Sequence, residues 1–372
     1  MITTVHKRLS ATAHVPLSAS VRLRHGIPAR AGVVVVGRLL DDAPFVFEAV
    51  GGRQVDAFAG DVVAGVLGAR RALRGVTGEV PQTVQAGDVL HVLNRGGVVG
   101  LATGGNTAPR IQVLGAVDDG SGDALTLGSG PITPAASLQA MPPIVAIAGS
   151  CMHAGKTAAA CALVRALSKA GYAVGVAKLT GVAAAKDVYA MQDCGAVAKA
   201  SFVEAGLAST CAGGDVVAAA RGCFNALAAE GVDVIVAELG DGLLGDYGVD
   251  SLIAAPDIRA AFTAVVMSAA DPVAAWGGVA LLKEAGLETT VVTGPTTDNV
   301  AGCEAVTRAT GVAAHNAHRD AAMLAHCVLK AFSAADAAKS CTGSSNSTKN
   351  QPSRRRKPLA MTALAAALLG GA

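Results

Sequence analysis

The sequence predicts an α/β fold: a three-layer domain with a mainly parallel sheet over residues 143–333, preceded by a smaller, mostly β domain over residues 1–140. Three observations carry this. Five apolar residues, Ile144 to Ala148, run into Gly149-Ser-Cys-Met-His-Ala-Gly-Lys-Thr157 and then into an Ala/Leu-rich segment of good helix propensity. Beyond that stretch, apolar runs of strand length alternate with helical ones, the pattern of parallel strands joined by crossover helices. Before it, short β-rich runs recur between turn signals.

The bulk composition sets limits. Of 372 residues, 52% are hydrophobic and only 3% aromatic, so the core must be packed from Ala, Val and Leu, which suits helices laid closely on a parallel sheet. A net charge of +2 argues against a broad nucleic-acid surface. The eight cysteines form no Cys-x-x-Cys pair and the N-terminus lacks a signal pattern, so reduced thiols in a cytoplasm are expected. No apolar run is long enough to propose an integral membrane span.

In residues 1–30 no period is clear, and Arg22, Arg24, His25 and Arg30 read as a solvated edge. Strand-like runs follow at 33–40, 45–50, 62–67, 89–93, 98–102 and 111–117, with Asn94-Arg-Gly-Gly97 joining two of them as a hairpin turn, because Asn and Gly accept positive φ. Gly104-Gly-Asn-Thr107 reads as a solvated turn, and residues 118–142 as a hairpin loop followed by a linker.

An anionic polyphosphate needs converging backbone N–H groups, a helix N-terminus, a flexible cation and a hydroxyl for Mg²⁺. The run from Gly149 supplies each. Gly149 and Gly155 let the backbone approach, with Ser150, His153 and Ala154 completing the loop; Lys156 reaches the β and γ oxygens; Thr157 opens the helix as metal ligand. The strict spacing would put a glycine at Ser150, so the loop is one residue longer. His153 either touches a phosphate or faces solvent, and Cys151 has no visible partner base to make it a nucleophile.

The later elements are predicted as a helix at 156–170, a strand at 172–177, helices around 186–193 and 215–230, and a strand at 232–237. Then come a strand at 263–268, a helix at 272–286, a strand at 289–293, a helix at 298–310, a short strand at 312–314 and a last helix at 319–333. In such a sheet the ligand sits at the C-terminal strand ends. Glu238, just past one of these strands, is the acid placed to hold Mg²⁺, with Asp241 either a second acid there or a solvated one. Lys178, at another strand end, beside Lys156 demands an anion. His315, His318 and His326 lack the spacing of a metal set, and Trp276 reads as core or interface. Residues 334–372, which include Arg354-Arg-Arg-Lys357 and an apolar end from Pro358, are expected to be a disordered basic tail.

Gly-x5-Gly-Lys-Thr with this longer loop resembles the dethiobiotin synthetase branch of P-loop NTPases. It is also similar to the adaptor GTPase of molybdopterin guanine dinucleotide synthesis and to two-domain P-loop proteins with an extra N-terminal domain. The resemblance covers about residues 143–330. It implies that Lys178 contacts the phosphoryl group and a substrate carboxylate, that Thr180 supplies the hydroxyl that follows, and that Asp187 adds a Mg²⁺ contact or else caps its helix. Dethiobiotin synthetases carry Glu-Gly-Ala-Gly-Gly where this chain has Glu238-Leu-Gly-Asp-Gly242. The chain departs from them at Cys151, where they hold an aspartate, and at Thr293-Gly-Pro-Thr296, where an asparagine for the purine is expected and Asn299 is displaced.

The function expected is that of a Mg²⁺-dependent enzyme using ATP, with GTP open, for phosphoryl transfer and ligation on a small carboxylate or amine, with Lys156, Lys178 and Thr180 in the catalytic roles. Two other readings stay open: a nucleotide-hydrolysing adaptor of a partner enzyme, and an acyl-coenzyme A-dependent N-acyltransferase using the same pocket. The partner expected is a small molecule, and a homodimer is left open.

Overall fold

The computed structural model describes residues 1–42, 44–211 and 214–342. The end of the expected tail, residues 343–372 with the basic cluster and the apolar segment, lies outside the described residues.

The first part of the chain is built from β1 (Ile2–Thr4), β2 (Lys7–Arg8), β3 (Ser20–Arg24), β4 (Gly26–Ile27), β5 (Val34–Leu39), β6 (Phe45–Glu48) and β7 (Gln54–Ala57). It continues with β8 (Val62–Leu67), β9 (Arg70–Arg71), β10 (Val76–Glu79), β11 (Val84–Gln85), β12 (Val89–Val92), β13 (Val98–Gly105) and β14 (Arg110–Val117). The expected hairpin forms, as β12 pairs antiparallel with β13. Because β12 also pairs with β14, the path β14, β5, β8, β13, β12 and back to β14 closes on itself, which removes free edges from those five strands.

The valine run of β5 is buried on both faces. Val35 packs with Val63, Val99, Ile111 and Val113, whereas its neighbours Val34 and Val36 join Ala64 and Val66 in a cluster that includes Ala183, Phe202, Val203 and Ala208 from the second half of the chain. One face of the β module is thus pressed onto the α/β part, which is why β5 reads as continuous rather than alternating hydrophobicity.

The second part follows the predicted order: β15 (Ile144–Gly149), α1 (Lys156–Lys169), β16 (Val174–Lys178), α2 (Lys186–Asp193), β17 (Ala198–Ser201), α3 (Val216–Ala229) and β18 (Val234–Glu238). Then come α4 (Val249–Ala254), α5 (Pro256–Ala261), β19 (Phe262–Ser268), α6 (Pro272–Glu284), β20 (Val291–Thr293), α7 (Val300–Thr310) and α8 (Ala321–Thr342). The six strands are all parallel, in the order β17-β16-β18-β15-β19-β20.

Ala159, Ala160, Leu163, Val164 and Leu167 of α1, at helical spacing, pack with Leu324, Val328 and Phe332 of α8 on one side of the sheet. Phe224, Leu227, Leu252 and Leu282 cover the other side, giving three layers. The many alanines at these contacts let helices lie close without aromatic residues.

Four expectations need correction. The segment 312–314 forms only an isolated bridge from Ala314 to Val292, since β20 is just three residues long and ends where Gly294 turns the chain away. Residues 198–201, 249–254 and 256–261 are ordered elements that their weak periodicity concealed. Helix α8 continues through Thr342, into the segment expected to be disordered, because Ala334, Ala335, Ala337 and Ala338 extend it at high propensity. Trp276 is 57% exposed on α6, so it is not core.

Candidate functional site

The chain leaves β15 towards β16 on one side and later adds β19 and β20 on the other, so the order reverses at the C-terminal end of β15, where ligands bind in such sheets. Register sets what meets there. Lys178 is paired with Glu238 across β16 and β18, Glu238 is level with Ile147 on β15, and Gly149 is level with Ser268.

From Gly149 the loop rises over the strand ends and re-enters the helix at Gly155, whose φ of 93° is one that L side chains rarely adopt. Gly155 lies against Gly294 and Pro295, so the Thr293-Gly-Pro-Thr296 run is packed under the loop. Asn299, displaced from the expected purine contact, caps α7 by accepting from the Gly302 amide. Ser150 is tied down through its amide to the Ser268 carbonyl and through its Oγ to the Ala270 amide. His153 has a positive φ of 64°, while Ala154 is fully buried.

Lys156 is 6% exposed, and its ammonium donates to the Cys151 carbonyl at 2.8 Å. Burial pulls its pKa down, partly offset by Glu238 and Asp241. A Cβ on Gly149 would fall 3.0 Å from the Lys156 Nζ, so that glycine lets the side chain run back along the strand end.

Thr157 Oγ1 donates to Glu238 Oε2 at 3.0 Å, bringing together the two residues expected to flank the metal. A hydroxyl and a carboxylate are hard oxygen donors, and with phosphate oxygens and water completing the shell the set fits Mg²⁺. Among the described residues there is no cluster of three or more His, Cys, Asp and Glu side chains able to hold a metal unaided.

The Lys178 ammonium pairs with the Asp187 carboxylate and lies 4.0 Å from Glu238. Burial alone would lower the Lys178 pKa, but the two acids outweigh it and raise it. Asp187 is pushed up by burial and pulled further down by Lys178, so it stays below the ordinary carboxylate range. For Glu238 burial dominates and raises the pKa against the pull of Lys178. The structure thus brings Lys156, Thr157, Lys178, Asp187 and Glu238 to one place, with Asp187 engaged by Lys178. It does not bring Thr180 with them: that hydroxyl is fully buried and donates to the Gly240 carbonyl at 2.9 Å, bracing the run after β18. A side chain on Gly240 would place Cβ 2.1 Å from the Thr180 carbonyl, which explains glycine there.

A cavity of about 950 Å³ opens in front of these groups, and its far wall belongs to the β module. Arg70 of β9, Asn94 and Asn106 line it together with Lys156 and Asp187. Glu48 at the end of β6 is 3% exposed and accepts from the Ala185 amide just before α2, while Asn94 donates to the Ala183 carbonyl at 2.8 Å. Asn106 and Thr107, read from sequence as a solvated turn, border the same cavity, and the two glycines before them lie in β13. Sequence reasoning missed Arg70 and Glu48 because the neighbours that place them at the site, Ala185 for Glu48 and Tyr247 and Asp241 for Arg70, lie more than a hundred residues away and leave no local pattern. Asp241 had a signal, an acid inside a glycine-rich run after a strand.

A parallel sheet, a loop entering a helix through Gly155 at the point of order reversal, and the Lys156–Thr157 pair beside Glu238 are the features of an α/β P-loop domain. No family model matches the sequence, and no curated protein matches it. Solved structures similar to it include the signal recognition particle receptor FtsY from Elizabethkingia anophelis, at 16% identity over 49% of this chain and 59% of that one, with a TM-score of 0.34. Another is the cell division protein FtsY from Thermotoga maritima, at 15% identity over 55% of this chain and 74% of that one, with a TM-score of 0.35. A third is the signal recognition particle 54 kDa protein from Aeropyrum pernix K1 in complex with GDP, at 16% identity over 58% and 54%, with a TM-score of 0.33. This chain spans less than two thirds of the first and third of these.

Proposed function

We propose that the chain is a Mg²⁺-dependent enzyme that transfers the γ-phosphoryl group of ATP or GTP to a small acceptor held between the β module and the strand ends, as the activating step of a ligation. The observation that carries this reading is the contact between Thr157 and Glu238 at the floor of a cavity of about 950 Å³, far larger than a phosphate chain needs. Loop amides and Lys156 bind the phosphates, with the Lys156 ammonium exchanging the Cys151 carbonyl for β and γ oxygens. Thr157 and Glu238 would hold Mg²⁺, which when bound supplies charge neutralisation at the phosphates. Lys178, fixed by Asp187, adds positive charge at the strand end and orients the acceptor by position. Since the face of the β module towards the α/β part is already buried in a shared core, an enclosed acceptor site is favoured over an adaptor acting through that face.

The test is thermal unfolding of the purified protein with Mg²⁺ and saturating ATP, GTP or acetyl-coenzyme A. A ligand at about 100 times its Kd adds about 2.7 kcal/mol by mass action, which raises Tm by roughly 3 to 4 °C in a chain of this size. A rise with ATP or GTP supports the reading; a rise with acetyl-coenzyme A alone, or with none of the three, refutes it.

A further inference from the structure

The segment 181–187 joins β16 to α2, borders the cavity and carries Asp187. Helix α2 begins without a cap of its own. Its N-cap residue is Ala185, which has no polar side chain, and the position three residues further on, where a glutamate would reach back to the N-cap amide, is the buried Val188. The β module supplies the missing acceptor. Glu48, at the end of β6, accepts from the Ala185 amide in a buried contact that spans 137 positions of the chain, and its carboxylate suits the positive end of the helix.

That contact belongs to a clamp. Asn94 donates to the Ala183 carbonyl two residues earlier, and is itself held by accepting from the Val98 amide at 2.9 Å. Gly96 packs so closely on the same Ala183 carbonyl that a Cβ there would lie 2.1 Å from it. Glu48 is tied to this turn in turn, because its amide donates to the Arg95 carbonyl at 2.8 Å. Between β6 and β7, a Cβ on Gly52 would meet the Tyr189 ring at 3.0 Å, so the same hairpin also rests on α2. The clamp ends two residues before Asp187, whose carboxylate holds the Lys178 ammonium.

Resting on the nucleotide-enzyme reading, we propose that Glu48 is a positioning residue of the reaction: through the Ala185 amide it fixes the start of α2, and so holds Asp187, and with it Lys178, in place beside the phosphate site. Without Glu48 the Ala185 amide loses its acceptor in a buried place and the first turn of α2 loosens. Asp187 then no longer keeps the Lys178 ammonium in one position, and a displacement of that kind slows transfer. Nucleotide binding is spared, because the phosphate loop is built on β15 and α1. The β module thereby sets the geometry of a strand end that it does not itself contain.

The experiment compares the native protein, Glu48→Ala and Glu48→Gln by amide hydrogen exchange, by equilibrium affinity for Mg²⁺-ATP and Mg²⁺-GTP, and by single-turnover phosphate release from each. Glutamine keeps an oxygen able to accept from the Ala185 amide, so it separates loss of the anchor from loss of the fold. Glu48→Ala is expected to speed exchange over residues 183–187 by at least about tenfold, to slow release by at least about tenfold, and to keep nucleotide affinity within about threefold. Glu48→Gln is expected to stay within about threefold of native in all three. Unchanged exchange over 183–187 in Glu48→Ala, release within about threefold of native in that variant, affinity that falls as far as the rate, or a glutamine variant as slow as the alanine one would overturn the assignment. Failure of the native protein to bind either nucleotide, or to release phosphate from it, would instead defeat the enzyme reading beneath, and the exchange measurement would still decide whether Glu48 holds the segment.

Discussion

Lys156→Ala is expected to weaken binding of Mg²⁺-nucleotide by at least about 100-fold, a loss of about 3 kcal/mol, while the free protein keeps its Tm within about 2 °C. The two halves of this result have separate causes. The ammonium is the one flexible cation of the loop, and no neighbour reaches the phosphates in its place, because Lys178 is already paired with Asp187. In the free protein Lys156 donates to the Cys151 carbonyl, but burial of its charge offsets that contact, which is why its pKa is lowered. Removing it therefore takes away an interaction and a desolvation cost together. Isothermal titration of ATP and GTP into the native and variant proteins, with a thermal scan of each, reads both halves. Equal affinity in the variant would disprove the phosphate site.

The second large effect is on stability. Lys178→Met should destabilise the protein by about 3 to 5 kcal/mol, because it strands Asp187 and Glu238 in a buried site without their shared cation. A double variant, Lys178→Met with Asp187→Leu, should recover part of the loss, since one of the uncompensated charges goes with it. The pH dependence has a definite sign. Asp187 titrates below its ordinary value of 3.8 when folded, so its contribution is complete above that value and is lost as pH falls through the folded pKa. Lys178 titrates above 10.5 when folded, so its contribution is complete below that and is lost as pH rises past the folded pKa. The Tm difference between native protein and Lys178→Met should therefore be broadest between these limits and narrow towards both. A difference that stays flat from acid to alkaline pH would show that the pair contributes nothing.

Much of the α/β half was legible because each of its signals is local. The strand-loop-helix from Ile144, the helical spacing of α1, and the acid after the strand that ends at Glu238 lie in contiguous sequence, and the parallel register then brings Glu238 to Thr157. What stayed hidden depends on distance along the chain. Closure of the β strands by β12, the burial of Val34 and Val36 against Phe202, and Arg70 lining one cavity with Lys156 are long-range packing outcomes that no window of sequence carries. Thr180 shows the same limit from the other side: its position was found, but its hydroxyl is turned into a backbone contact with Gly240. The role of Lys178 likewise depends on Asp187, whose side chain could be placed beside it only once α2 was seen to start next to the strand end.

The most direct measurement is a crystal structure of the protein with Mn²⁺ in place of Mg²⁺ and a non-hydrolysable ATP or GTP analogue, with anomalous diffraction recorded for the manganese. The account predicts a manganese peak bordered by Thr157 Oγ1 and the Glu238 carboxylate, with the γ-phosphate oxygens at Lys156 Nζ and the remaining cavity open towards Arg70 and Asp241. Phosphates bound away from residues 149–157, or manganese remote from Glu238, would contradict it.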